Sequence, residues 1–230
     1  MQIVKAQALV LHSLKFKETD LIVKLYVKDY GVCSYLVKGV LKTKRGKFRA
    51  SMFMLGSFLE IDATHKKKSE LHYLKEVRIA SFYNSLHTNV IKSMVLTFTS
   101  ELTGHLLPSQ QPDASYFSFL IESYKWLDTH DKISAFLLFF LIQQTRFLGC
   151  YPSTLELENM PFLEAIQDLC VPDHLEYWQQ LLKADYTTLE CIYIPKAHRS
   201  AMIEQVLKYY QKQIPDFKIP KSLKVMQGVF

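Results

Sequence analysis

DLIVKLYVKDYGVCSYLVKGV, residues 20–40, alternates side-chain types with a period of two, turns, and alternates again. Leu21, Val23, Leu25 and Val27 fall on one face of a strand, and Ile22, Lys24, Tyr26 and Lys28 on the other. A period of two is that of an extended chain, whose successive side chains point to opposite sides. Asp29-Tyr30-Gly31 is a turn signal, and VCSYLVKGV returns as the second strand of a hairpin. The first face is predicted to meet a core. The Lys24-Tyr26-Lys28 row is predicted to be an open face.

Working outward, AQALVLHSL (6–14) reads as a strand before the hairpin. After it comes GVLKTKRGKFRAS (39–51), a connection with Lys42, Lys44, Arg45, Lys47 and Arg49 around Gly46. MFMLGSFLEIDA (52–63) reads as a fourth strand, with Gly56 marking a bulge or bend. THKKKSE (64–70) is a second basic connection, carrying Lys66, Lys67 and Lys68, and LHYLKEV (71–77) a fifth strand. Five short strands with polar turns predict a small closed or nearly closed barrel, although an SH3-like arrangement would read similarly.

Near residue 80 the period changes. Val90, Met94, Val95, Phe98, Leu102 and Leu106 recur at helical spacing, and Asp113 is placed to cap a second helix carrying Phe117, Leu120, Ile121, Tyr124 and Leu127. Residues 131–149 are apolar on nearly all sides, as in the central helix of a bundle. Further helices are predicted over 161–169, 172–182 and 198–214, followed by a tail. The expected division is therefore an α+β chain of two domains: a β-barrel domain over 1–80 and an all-α domain over 81–230.

At 49% hydrophobic and 13% aromatic, the 230 residues can build a core and do not resemble a disordered chain. The net charge of +6 is unevenly distributed: residues 1–80 carry +9 and residues 81–230 carry −3. A basic front on an acidic remainder predicts that one region meets a polyanion. The four cysteines form no CxxC pair, and the most apolar run, 135–142, is too short to span a bilayer. These features predict a soluble, cytoplasmic protein with no membrane association.

The chain offers little catalytic chemistry. It has no phosphate-cradling glycine run and no HExxH or GxSxG motif. Cys170 and His174 stand one helical turn apart, but Cys191 and His198 lack tight paired spacing, so buried cysteines and surface histidines are the simpler reading. Cys33 reads as a small apolar filler. Glu156, Glu158, Asp128 and Asp131 lie near helix ends, where carboxylates cap or are solvated. No enzyme, cofactor or metal is expected.

The cations are better organised. In a small barrel, a polar strand face flanked by basic connections suits a nucleic-acid strand, with cations on phosphates and aromatics under bases. Tyr26 is the stacking candidate because it shares its face with Lys24 and Lys28. Phe48 has two roles open: stacking on a base or anchoring its loop. The competing readings are an RNA-binding OB-fold module, a metal-dependent nuclease, and a scaffold whose charge serves solubility.

ALVLHSLKFKETDLIVKLYVKDYG (8–31), LVKGVLKTKRGKFRASMFMLGSFLEI (36–61) and ELHYLKEV (70–77) resemble the N-terminal domain of the RecO recombination-mediator and DNA-repair proteins. TRFLGCYP (145–152) and PKSLKVM (220–226) are similar to that family's later segments. The resemblance implies an OB-fold followed by a helical domain, in a bacterial protein associated with the nucleoid. It implies binding of single- and double-stranded DNA, strand annealing, and partnership with RecR and single-stranded DNA-binding protein to load RecA. The DNA positions it carries over are Lys38, Lys42, Arg45, Lys47 and Arg49; those for the single-stranded DNA-binding protein are Arg146, Phe147 and Lys221. Many members have a four-cysteine zinc module after the segment matched by 145–152. GCYPSTLELENMPF (149–162) lacks it, so zinc is not carried over.

Overall fold

The computed structural model describes residues 2–42, 47–65, 70–107, 111–152 and 172–227. Five strands, β1 (Gln2–Phe16), β2 (Asp20–Val27), β3 (Gly31–Val37), β4 (Phe58–His65) and β5 (Leu71–Ser81), close into a barrel in the order β1-β2-β3-β5-β4. This is an OB-fold arrangement, not the SH3-like alternative. β1 is long because it serves two neighbours: Gln2–Leu9 pair with β4, and Ala8–Phe16 pair with β2. A short parallel pairing of Ser34–Leu36 with Leu71–Tyr73 closes the circle. Inside it pack Val4, Ala8, Val10, Val23, Leu25, Tyr35, Leu59 and Ile61, all nearly inaccessible.

The fourth strand begins later than its sequence suggests. Ala50–Phe53 form a turn of 3-10 helix, and β4 starts only at Phe58. Phe53 drops into the barrel core, which a straight strand from Met52 would not allow. Gly56 then takes φ +73°, and a Cβ there would lie 2.7 Å from Leu96 Cδ1, so glycine is required twice over. Its N–H donates to Val10 O at 2.8 Å, and Val10 N–H donates to Ser57 O at 3.0 Å. These bonds hold the bend against β1 where its register with β2 shifts, between Val10 and His12.

The chain divides into two compact units, Met1–Lys125 and Trp126–Phe230, so the unit containing the barrel also takes in helical residues beyond 80. In the first unit, α1 (Val90–Leu106) is capped by Asn89, whose Oδ1 accepts from the Ile91 and Lys92 amides. α2 (Ala114–Thr129) is capped by Asp113 as its sequence position predicts: Oδ1 accepts from Ser115 and Tyr116 N–H, both at 2.9 Å. The Tyr124 hydroxyl is buried against Ser100 Oγ at 3.1 Å, tying α2 to α1.

In the second unit, α3 (Phe136–Phe147) buries every residue from Phe136 to Thr145 and is the central helix that its composition predicts. It is shorter than the expected 131–149 span. Around it lie α4 (Pro172–Lys183), α5 (Lys196–Gln213) and α6 (Leu223–Gln227). Tyr210 of α5 donates to Leu141 O at 2.6 Å, and Trp178 of α4 donates to Gln205 Oε1 of α5 at 3.1 Å. The C-terminal tail contains a short helix, while the helix expected over 161–169 lies outside the described residues. Among the described residues no helix is long and apolar enough to cross a membrane.

Candidate nucleic-acid interface

The connection between β3 and β4 is fastened at both ends. At its start, the Asp20 carboxylate accepts from Gly39 N–H at 2.8 Å and from Thr19 Oγ1 at 3.0 Å. The Gly39 amide, the largest influence, holds the Asp20 carboxyl below its ordinary value; desolvation opposes it, and Thr19, Lys17 and Lys38 add lesser lowering contributions. Leu41 N–H donates to Thr19 O at 3.0 Å, and Val40 is buried in the core. At the far end, Phe48 packs against the barrel core with its ring edge-on to Phe53, centroids 6.1 Å apart. Lys47 Nζ lies 5.7 Å from the Phe48 ring centre. Phe48 is therefore a foot of this loop.

Within and beside those fastenings the described cations face solvent. Lys38, Lys42, Lys47 and Arg49 are exposed. Lys38 Nζ sits 5.6 Å from the centre of the Tyr73 ring, so a cation and an aromatic surface lie side by side there. Lys44 and Arg45 of the same connection, and Lys66, Lys67 and Lys68 of the second, lie outside the described residues. The outer surface of β1, β4 and β5 has a different character. Lys5 pairs with Asp62 at 3.5 Å, Arg78 approaches Glu76 at 3.8 Å, and Glu60 lies opposite Arg78 in the ladder. Mixed charges of this kind attract a polyanion less than a run of like charges does.

The predicted open face of β2 is not open. Tyr26 has 0% exposure. Its hydroxyl donates to Asp113 O at 3.0 Å and accepts from Asp113 N–H at 3.1 Å, while its ring meets Tyr116 and Phe117 at 5.9 and 5.8 Å. Burial pushes the phenol up to about 12. The start of α2 covers this strand, so Tyr26 cannot stack on a base. Nearby, Gly31 takes φ +70°, and a Cβ there would meet the Gln111 backbone at 2.6 Å. Lys24 and Lys28 are half-buried at the margins of the cover. Lys24 lines a cleft of about 440 Å³ with His12, Glu101 and His105, between the barrel and α1.

In the helical unit, Arg146 is exposed in the last turn of α3 and lies 3.9 Å from the centre of the Tyr151 ring. Its Nη2 donates to the Tyr151 hydroxyl at 2.8 Å, and that hydroxyl donates to Leu182 O at 3.1 Å. The guanidinium is thus held in place with part of its donor fork open to solvent. Phe147 is half-buried beside it, and Lys221 is exposed.

Of the histidines weighed as metal ligands in the sequence, His174 is buried, not on the surface as expected, and His198 is half-buried. His174 Nε2 bonds His198 Nδ1 at 3.0 Å, and His174 Nδ1 bonds Gln205 Nε2 at 3.1 Å. Cys191 is exposed, and Cys170 lies outside the described residues. A different cluster escaped the sequence reading. Cys33 of β3, His65 at the end of β4 and His72 of β5 place ligand-capable atoms within 4.8 Å of one another. The two imidazoles stack with centroids 4.0 Å apart, and the Tyr35 hydroxyl bonds His65 Nε2 at 2.7 Å. Burial pushes the Cys33 thiol up to about 11, and burial, then the His72 ring, pulls His65 down to about 4. The available signal was the inward register of Cys33 and Tyr35 together with histidines at both ends of the second connection. Barrel closure, which spacing alone does not reveal, brings them together.

Two family models match the chain: recombination protein O N terminal over residues 1–83 and recombination protein O C terminal over 87–155. The chain is 33% identical to the DNA repair protein RecO of Christiangramia forsetii, with 99% of each chain covered. It is 32% identical to that of Flavobacterium psychrophilum, again over 99% of each, and 27% identical to that of Phocaeicola vulgatus over 98% of each. Matching the models through both regions and its relatives from end to end, the chain belongs to the RecO family of DNA repair proteins.

Proposed function

We propose that this protein is a non-enzymatic, cytoplasmic, nucleoid-associated mediator that binds single- and double-stranded DNA and anneals complementary strands. With RecR it would load RecA onto DNA coated by single-stranded DNA-binding protein. The observation that carries this reading is the connection over 38–49. Lys38, Lys42, Lys47 and Arg49 stand exposed on a segment fastened by Asp20 at one end and Phe48 at the other. Cations on a fastened loop lose less conformational freedom on meeting phosphates than cations on a free one. They neutralise the phosphates, release counterions and lower the repulsion between two strands.

The helical unit would serve as the partner surface. Arg146, fixed by Tyr151 beside Phe147, suits an acidic, aromatic-ended tail such as that of the single-stranded DNA-binding protein, and Lys221 adds a second cation. The test is annealing of complementary strands coated beforehand with the cognate single-stranded DNA-binding protein. Faster annealing without strand cleavage, lost when Arg146 becomes alanine but kept on bare DNA, supports both halves. No acceleration on either substrate, or stronger competition by RNA than by DNA of equal length, contradicts the reading.

A further inference from the structure

We propose that Cys33, His65 and His72 form a binding site for one late first-row transition ion such as zinc, with cobalt as its probe. The site is distinct from the DNA-binding connection and does not depend on it. Three strands supply the ligands, and their candidate atoms already lie within 4.8 Å of one another. Zinc bonds sulfur at about 2.3 Å and imidazole nitrogen at about 2.0–2.1 Å, so two ligands on one tetrahedral ion lie about 3.5 Å apart. Closing the cluster requires the two stacked imidazoles to rotate out of their parallel arrangement so that one nitrogen of each points at the ion, with the ligand atoms drawing together by about 1 Å.

The donor set selects the ion. A thiolate with two imidazoles suits zinc and its neighbours and is poor for magnesium or calcium, which take oxygen. The Tyr35 hydroxyl on His65 Nε2 is the kind of outer hydrogen bond that orients a metal-bound imidazole. Cys33 is buried, so it is shielded from bulk solvent, whereas the half-exposed His65 leaves a route in. Three protein ligands leave a fourth position for water. On binding, the Cys33 S–H bond breaks, its proton passes to solvent, and the sulfur's electron pair bonds the ion; nothing is oxidised or reduced.

The ion would tie β3 to the adjoining ends of β4 and β5. His65 is the residue directly before Lys66, so the ion would fix the point from which the second lysine run departs.

The experiment is titration of the full, reduced, chelator-stripped chain with cobalt. The expected result is saturation at about one equivalent per chain, with a thiolate-to-cobalt charge-transfer band and the visible bands of four-coordinate cobalt, both displaced by zinc. Cys33→Ser should abolish the charge-transfer band, and Cys191→Ser should leave it intact. His65→Gln should lower affinity by at least about the tenfold that an outer-sphere partner alone is worth. Should Cys33→Ser fail to fold, the half-exposed His65→Gln variant decides the question. No charge-transfer band in the wild-type chain, a band surviving Cys33→Ser, or unchanged affinity in His65→Gln would overturn the proposal; the cluster would then be aromatic packing alone.

Discussion

The second face of β2 and the connection over 38–49 look alike in sequence, and the structure treats them oppositely. Each sets lysines around one aromatic ring: Lys24 and Lys28 about Tyr26, and Lys47 and Arg49 about Phe48. Over β2, the Asp113 backbone and the first turn of α2 seal the tyrosine from solvent. On the connection, the phenylalanine packs half-buried against the barrel core and the described cations stay in water. In both places the aromatic is structural. What differs is whether a segment distant in sequence has covered the lysines' side. Alternation in a strand reports that its two faces differ; it does not report what will cover the second one. A lysine is a poor witness to exposure, because its stem can lie along a buried surface while its ammonium reaches water.

The largest effect that would break this comparison is at Tyr26. Tyr26→Ala should destabilise the protein by about 3–5 kcal/mol, the range for removing a buried aromatic, as read from urea unfolding. Tyr26→Phe should cost about 1 kcal/mol for the lost hydroxyl bonds and leave DNA affinity unchanged. A stable Tyr26→Phe variant with weakened DNA binding would restore the tyrosine to the interface.

Phe48 sharpens the other side. Phe48→Ala should cost about 1–2 kcal/mol of stability, less than a fully buried ring. It should also weaken DNA binding by loosening the loop. Phe48→Leu should keep most of the affinity, since a leucine can fill the space beside Phe53. Affinity lost equally in both variants would mean that the ring stacks on a base.

The smallest effect concerns Asp20. Its folded carboxyl lies below the ordinary value, chiefly through the Gly39 amide. Its contribution to holding the connection is therefore complete above the unfolded value of about 3.9 and is lost as pH falls through the lower folded value. The Gly39 amide signal should titrate with the Asp20 carboxyl in an NMR pH series, and Asp20→Asn should remove that transition. A Gly39 amide indifferent to acid would show that this fastening is not formed in solution.

Much of the fold was legible because its determinants are local. The hairpin over 20–40, the Asp113 cap and the all-apolar α3 follow from period, turn chemistry and capping within a few residues. The same is true of the exposure of Lys38, Lys42, Lys47 and Arg49, which sit on a polar connection with no apolar period. What escaped depends on contacts between distant positions. Phe53 breaks the fourth strand because the core needs its ring, and Gly56 bends there because Leu96 leaves no room for a Cβ. Tyr26 is covered by residues nearly ninety positions away. Cys33, His65 and His72 meet only when β5 closes onto β3. Such misses mark where tertiary packing overrides local pattern.

The central claim, that the connection over 38–49 holds DNA by its phosphates, is tested most directly by the salt dependence of oligonucleotide affinity. The wild-type chain is to be compared with a folded variant carrying alanine at positions 42, 44, 45, 47 and 49. The expected result is weaker binding to every sequence and a plot of log affinity against log salt that flattens by about one unit per lost phosphate contact. Unchanged affinity and unchanged slope in the folded variant would contradict the account and place the DNA elsewhere on the protein.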